Sequence, residues 1–118
     1  MPIATKRAYE AVSAKDGYRV LVDGLWPRGV TKARLKIDAW MREIAPSASL
    51  RKWYGHKPEK WEGFSKKYRQ ELSKAPRKAF VDELVERARK EQVTLVFGAR
   101  DAEHSNAAVL AEMIGSKL

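Results

Sequence analysis

Cysteine does not occur in these 118 residues, and its absence removes several kinds of protein at once. Disulfide frameworks, thiolate-held zinc, iron–sulfur clusters and cysteine nucleophiles are all excluded. No apolar run approaches the roughly 18 residues that would span a bilayer, and the opening MPIATKRAYE lacks the apolar core of a secretory signal. The expectation is a cytoplasmic protein without a membrane partner. Familiar catalytic signatures are missing too: there is no GxxxxGK loop, no GxGxxG turn, no HExxH pair and no GxSxG elbow. A metal held by Asp23, Asp101, Glu103 and His104 would rest on one imidazole among carboxylates, so no metal site is expected and no cofactor is indicated.

Acidic residues are also in short supply. Lys and Arg number 24 against 15 Asp and Glu, for a formal charge of +9. The excess concentrates between residues 51 and 90, where thirteen basic residues meet six acidic ones. Two readings follow. Basic and acidic residues alternate there as they do on any solvated helix surface. The competing reading is a nucleic-acid module in which Lys66, Lys67, Arg69, Arg77 and Lys78 meet phosphates.

At this length, with 44% apolar residues, one domain over residues 1–118 is expected, with a single buried core. Tyr18 to Asp23 (YRVLVD) is a short Val- and Leu-rich run between Asp16-Gly17 and Gly24, which reads as a buried strand. Thr94 to Gly98, inside VTLVFGA, is nearly continuous in apolar residues, as suits a parallel strand covered on both faces. A weaker strand is placed over Ile3 to Tyr9.

Between these runs the period becomes helical. Ile37, Trp40, Met41 and Ile44 fall at steps of three, four and seven before Pro46 and predict a helix. Trp61, Phe64, Tyr68 and Leu72 predict a second, and Phe80, Val81, Leu84, Val85 and Ala88 a third. Ser47 or Ser49 would cap a shorter helix carrying Leu50 and Trp53. A last helix, turning Ala107, Leu110, Ala111 and Ile114 inward, is expected to take Asp101 as its N-cap. The order of elements implies an α/β fold: a small, mostly parallel sheet flanked by helices, with a helical subdomain in the long crossover between the main strands.

Two polar clusters follow the two main strands. Asp23, Trp26 and Arg28 come after the first; Arg100, Asp101, Glu103, His104, Ser105 and Asn106 come after the last. In open α/β sheets ligands bind beyond the carboxyl ends of the strands, commonly where helix amides favour anions. Arg28 offers a planar fork suited to phosphate or carboxylate, or a partner for Asp23 or Asp101. Asp23 could act as acid, base or hydroxyl acceptor, or form a salt bridge. His104, expected on the first turn of the last helix, would be held neutral by the positive helix end and suited to proton transfer; otherwise it is a surface histidine in a cap. Asn106 can donate and accept, or tie the two loops together. Trp26, held extended by Pro27, reads first as packing and second as a ligand contact.

Taken together, GYRVLVDGLWPRGVTK, the block from IDAWMREIAPSASLRKW to KKYRQEL, and VTLVFGARDAEHSNAAVL resemble the YeaO-like family, within the group named domain of unknown function 488. The resemblance covers nearly the whole chain, and WPRG followed by IAPS, LR and Trp is its most specific part. The matching positions are Asp23, Trp26, Pro27, Arg28, Gly29, Trp40, Pro46, Ser47, Arg51, Trp53, Asp101, His104 and Asn106. The resemblance implies an α/β fold and no established activity. Some members carry transcriptional-regulator labels, but no helix-turn-helix with a basic recognition helix is legible here. Gly24 departs from the family, which usually has Arg there, and Arg100 is a candidate substitute.

Three functions follow as expectations. The first is binding of a small anionic ligand, such as a nucleotide or phosphorylated metabolite, by Arg28, Trp26, Arg100, Asp101 and Asn106, with Asp23 and His104 as acid or base. The second is the nucleic-acid module. The third is a protein-interaction adaptor presenting exposed aromatics such as Trp53 or Tyr54. No motif in these residues assigns an enzyme activity or an oligomeric state.

Overall fold

Why the chain alternates strands with helices becomes plain from where its apolar residues go. In the computed structural model, which describes residues 2–118, β1 (Ile3–Arg7), β2 (Tyr18–Leu21), β3 (Ala39–Trp40) and β4 (Val93–Phe97) form one sheet. Every pairing is parallel, and the spatial order is β1-β4-β2-β3. The fold is thus α/β, as expected. Tyr18 lies opposite Val93 and Leu21 opposite Val96, while Ile3 to Arg7 run alongside Val93 to Phe97. The ladder continues past β2 as Val22 N donates to Val96 O at 3.0 Å.

β4 is buried at all five positions because both faces of the sheet are covered. Successive strand residues point to opposite faces, and the two faces have different covers. Val93, Leu95 and Phe97, with Val20 and Val22, enter the main core. That core is completed by helices α2 (Ala48–Tyr54), α3 (Trp61–Leu72), α4 (Arg77–Ala88) and α5 (Asn106–Ser116). The predicted stripes of α3 and α4 supply Phe64, Tyr68, Leu72, Val81, Leu84, Val85 and Ala88 to it. Ser47 caps α2, its hydroxyl accepting from Leu50 N at 3.2 Å.

The opposite face has a thinner cover. Leu21 and Val96 meet Ala8, Val30 and Leu35, with Trp26, Ile37 and Trp40 packed around them. Leu35 ends a one-turn helix, α1 (Lys32–Leu35), which the apolar pattern does not announce. Arg19 also points to this face and is 97% buried, at 3% exposure. Its guanidinium donates to Asp16 at 2.7 Å and to Leu35 O at 2.8 Å, and Lys6 closes the network on Asp16 at 2.9 Å. Desolvation works to raise the Asp16 carboxyl, but the Ser13 amide, Lys6 and Arg19 outweigh it and hold the group low. Thr94 donates its hydroxyl to Asp16 O at 2.7 Å, so the residue is bound on both sides. Gly17 must be glycine: its φ is +64°, and a β-carbon would stand 2.3 Å from Gln92 O.

The helix expected over Ile37 to Ile44 does not form. Ala39–Trp40 is β3, and Arg42–Ile44 is a 3₁₀ turn. Its four apolar residues serve two different cores: Ile37 and Trp40 pack on the thin face, Met41 and Ile44 on the helical face. A helix would hold them on one side. The segment is extended because Arg19 anchors Asp38 through both backbone and side chain, at 2.7 and 2.8 Å.

Among the described residues, no helix is long and apolar enough to cross a membrane.

Candidate functional site

Parallel strands deliver the loops leaving their carboxyl ends to one edge of the sheet. Tyr9 after β1, Asp23 to Arg28 after β2, and Gly98 and Ala99 after β4 line a cavity of about 350 Å³ there. Pro46, Arg51, Tyr54 and His56, from α2 and its flanks, form the facing wall with Phe64 of α3. His104, Ser105 and Asn106 complete it. A volume of this order lies at the small end of the range, roughly 300–1,000 Å³, typical of small-molecule sites.

Asp23 occupies the more buried part. Its Oδ2 accepts from Gly98 N at 2.8 Å. Burial pushes its carboxyl above the ordinary aspartate range, partly offset by the Gly98 amide, the Asn106 side chain and the Arg51 charge. Asn106 donates to Val22 O at 3.1 Å, tying the start of α5 to the end of β2.

WPRG is a braced turn. Val30 N bonds to Pro27 O at 3.4 Å, and Gly29 has φ +78°, the position for which type II turns use glycine. Trp26 donates its indole N–H to Val30 O at 2.5 Å and sets its ring edge-on to Trp40, centroids 5.4 Å apart. Trp40 in turn donates to Asp23 O at 2.8 Å. Trp26 therefore packs on the thin-face core while also lining the cavity. Pro27 is buried and Arg28 exposed. Arg28 engages its carbonyl with the Tyr9 hydroxyl at 3.1 Å. Its guanidinium has no ion pair or hydrogen bond among the described residues, with neither Asp23 nor Asp101.

The second guanidinium at the cavity belongs to Arg51, which the sequence reading left out of the site. It too lacks an ion pair or hydrogen bond among the described residues. A β-carbon on Gly24 would lie 3.8 Å from an Arg51 terminal nitrogen, so Arg51 covers the position where the YeaO-like pattern has Arg. Arg100, considered as the substitute, is exposed and does not line the cavity. The available signal was the Ser47 cap, which places Arg51 one turn into α2.

Asp101 is not the cap of the last helix. Ser105 is, with extended backbone and a hydroxyl accepting from Ala108 N at 3.1 Å. Asp101 instead caps its own turn, taking Glu103 N and His104 N at 3.1 and 3.3 Å, and meets His104 Nδ1 at 2.8 Å. His104 thus precedes the helix rather than sitting on its first turn. Its ring lies 4.9 Å from Trp61 and reaches the cavity, whereas Asp101 does not line it. His56, in the loop after α2, also lines the cavity and has φ +56° directly after Gly55 at +54°. Two successive left-handed residues bring its ring back to Tyr54, centroids 6.1 Å apart.

The basic helices present less free charge than their composition suggests. Arg69 meets Glu112 at 3.3 Å, Lys78 meets Asp82 at 2.8 Å, and Arg77 donates to Ala45 O at 2.8 Å. Lys67 lies over the Trp53 ring at 5.1 Å, while Lys66, Lys67 and Lys78 are all exposed. Of the two aromatics considered for an adaptor surface, Trp53 is partly exposed at 39%, but Tyr54 is buried at 9% in the main core. Among the described residues no group of His, Asp and Glu is placed to hold a metal.

By its structure the chain is a small α/β domain with one parallel sheet and a cavity at the carboxyl edge of that sheet. The chain belongs to the DUF488 group: its residues 2–118 match the family described as the inactive DUF488-N3 subclade. It is 37% identical over 116 residues to the uncharacterized protein YeaO of Escherichia coli strain K12, covering 98% of this chain and 99% of YeaO. It is 36% identical over 115 residues to the uncharacterized protein Rv3073c of Mycobacterium tuberculosis, covering 98% of this chain and 95% of that one. No solved structure matches the chain at a significant level.

Proposed function

We propose that the protein binds a small anionic ligand, of the class of nucleotides and phosphorylated metabolites, in the cavity at the carboxyl edge of the sheet. The observation that carries this reading is that Arg28 and Arg51, from the loop after β2 and from α2, both line that cavity and, among the described residues, have no carboxylate within ion-pair distance. Both guanidinium groups are exposed, so what sets them apart is that they border the same concavity. Two left unpaired around one concavity are suited to an anion, which each would hold by charge-assisted hydrogen bonds.

Binding without turnover fits the remaining residues. Asp23 spends one oxygen on the Gly98 amide, and the subclade is described as inactive. His104 would position or polarise the ligand through the ring that Asp101 orients. The partners of Arg69, Arg77 and Lys78 weaken the reading of α3 and α4 as a phosphate-binding face.

The test is calorimetric titration with inorganic phosphate, pyrophosphate and adenosine 5′-monophosphate. Wild type is expected to bind at least one of them. Arg28→Ala and Arg51→Ala should each lose about tenfold or more in affinity, since a hydrogen bond to a charged group contributes about 1.5–3 kcal/mol. Affinity that survives both substitutions would remove these residues from the site.

A further inference from the structure

The cavity is electrically two-ended, and its inner end constrains what an anion bound there must look like. Arg28 and Arg51 are exposed, whereas Asp23 is half-buried beside Asn106. A ligand that is negative throughout would meet the Asp23 carboxylate unfavourably. One that turns hydrogen-bond donors inward and its charge outward would not.

The acceptors available at the inner end can be named. Asp23 Oδ2 is occupied by Gly98 N, and Asn106 Nδ2 by Val22 O. The Asn106 amide lies close enough to Asp23 to favour its ionised form, but its own hydrogen bond goes to Val22 O, and among the described residues neither Asp23 Oδ1 nor Asn106 Oδ1 takes a hydrogen bond of its own. Among the described residues no buried side-chain oxygen or nitrogen lacks a partner, so both atoms are accessible, and both residues line the cavity. Two acceptors from adjoining side chains suit two neighbouring hydroxyls. The wall beside them includes Tyr54 and Phe64, tilted against each other with ring centroids 4.6 Å apart, and these buried rings give that end of the cavity an apolar lining suited to the carbon skeleton of a ligand.

Resting on the anion-binding reading above, we propose that the ligand is a phosphorylated sugar, free or as the ribose phosphate of a nucleotide. Its phosphate meets Arg28 and Arg51, and its hydroxyls donate to Asp23 Oδ1 and Asn106 Oδ1. The hydroxyl end gives discrimination, because a phosphate lacking donors leaves the Asp23 carboxylate desolvated and unpaired.

Calorimetry on the full chain separates the possibilities, using ribose 5-phosphate, butyl phosphate, phosphoethanolamine and adenosine 5′-monophosphate. Ribose 5-phosphate is expected to bind at least about tenfold more tightly than butyl phosphate, which has the charge without the hydroxyls. Asp23→Asn, which can still accept from Gly98 N but turns an amino group to the cavity, should shrink that ratio to about threefold or less. Should that variant not fold, Asn106→Ser is read by the same ratio. Equal affinities for ribose 5-phosphate and butyl phosphate would overturn the sugar assignment while leaving the anion reading intact. So would tighter binding of phosphoethanolamine, which offers an ammonium instead, or a ratio untouched by both substitutions. If no phosphate compound binds, the anion reading itself fails. Adenosine 5′-monophosphate binding more tightly than ribose 5-phosphate would indicate a nucleotide, and equal binding a free sugar phosphate.

Discussion

Asp23 shows at the scale of one residue how a site can work against stability. Its carboxyl is pushed above the ordinary range by burial, so the folded chain holds that proton more tightly than the unfolded one. Stability therefore declines as pH rises from the unfolded aspartate value through the folded one, and stays at the lower level above it. Asp23→Asn removes this decline while keeping an acceptor for Gly98 N. Thermal unfolding followed from pH 3 to pH 8 is expected to show a melting-temperature gain for the variant that grows across that interval and then levels off. A gain independent of pH would mean that Asp23 ionises as freely in the folded chain as in the unfolded one. Of the residues at this site, Asp23, Arg28, His104 and Asn106 were legible because they follow strands in the chain. Arg51 was not: the Ser47 cap places it one turn into α2, but it reaches Gly24 from 27 positions further on, and a cap says nothing of which distant loop the residue will meet.

Elements were legible where one apolar stripe served one core. The stripes of α3 and α4 point into a single cluster, so periodicity and burial agree. Ile37 to Ile44 has the same spacing, yet its residues divide between the two faces of the sheet, and hydrogen bonds from Arg19 settle the matter in favour of a strand. The start of α5 was misplaced for a different reason: Asp101 and Ser105 are both good caps by residue type, and only backbone direction chooses between them. Ser105→Ala should cost about 1 kcal/mol, by loss of the hydroxyl that accepts from Ala108 N. Asp101→Ala, which loosens an exposed turn and releases the His104 ring, should cost less stability than Ser105→Ala. Urea unfolding of the two variants compares them directly, and a larger loss for Asp101→Ala would restore it as the cap.

On the scale of the whole molecule, β4 joins two cores of unequal size. Leu95 enters the helical one, so Leu95→Ala should cost about 2–5 kcal/mol by urea unfolding, in the range of large-to-small substitutions in packed interiors. The thin face relies instead on Arg19, Asp16 and Lys6, whose mutual satisfaction replaces the second layer of helices that many parallel sheets have. The sequence by itself determined that the chain is an α/β protein with buried parallel strands and amphipathic helices, because strand and helix periods are local properties of neighbouring residues. It also determined that polar residues gather after the strands. Tertiary structure alone decided which of them meet, because a cavity at the edge of a sheet is assembled from loops distant in the chain. That assembly brings Arg51 to Gly24, leaves Arg28 without a carboxylate among the described residues, keeps Arg100 and Asp101 away from the cavity wall, and brings the exposed His56 to it.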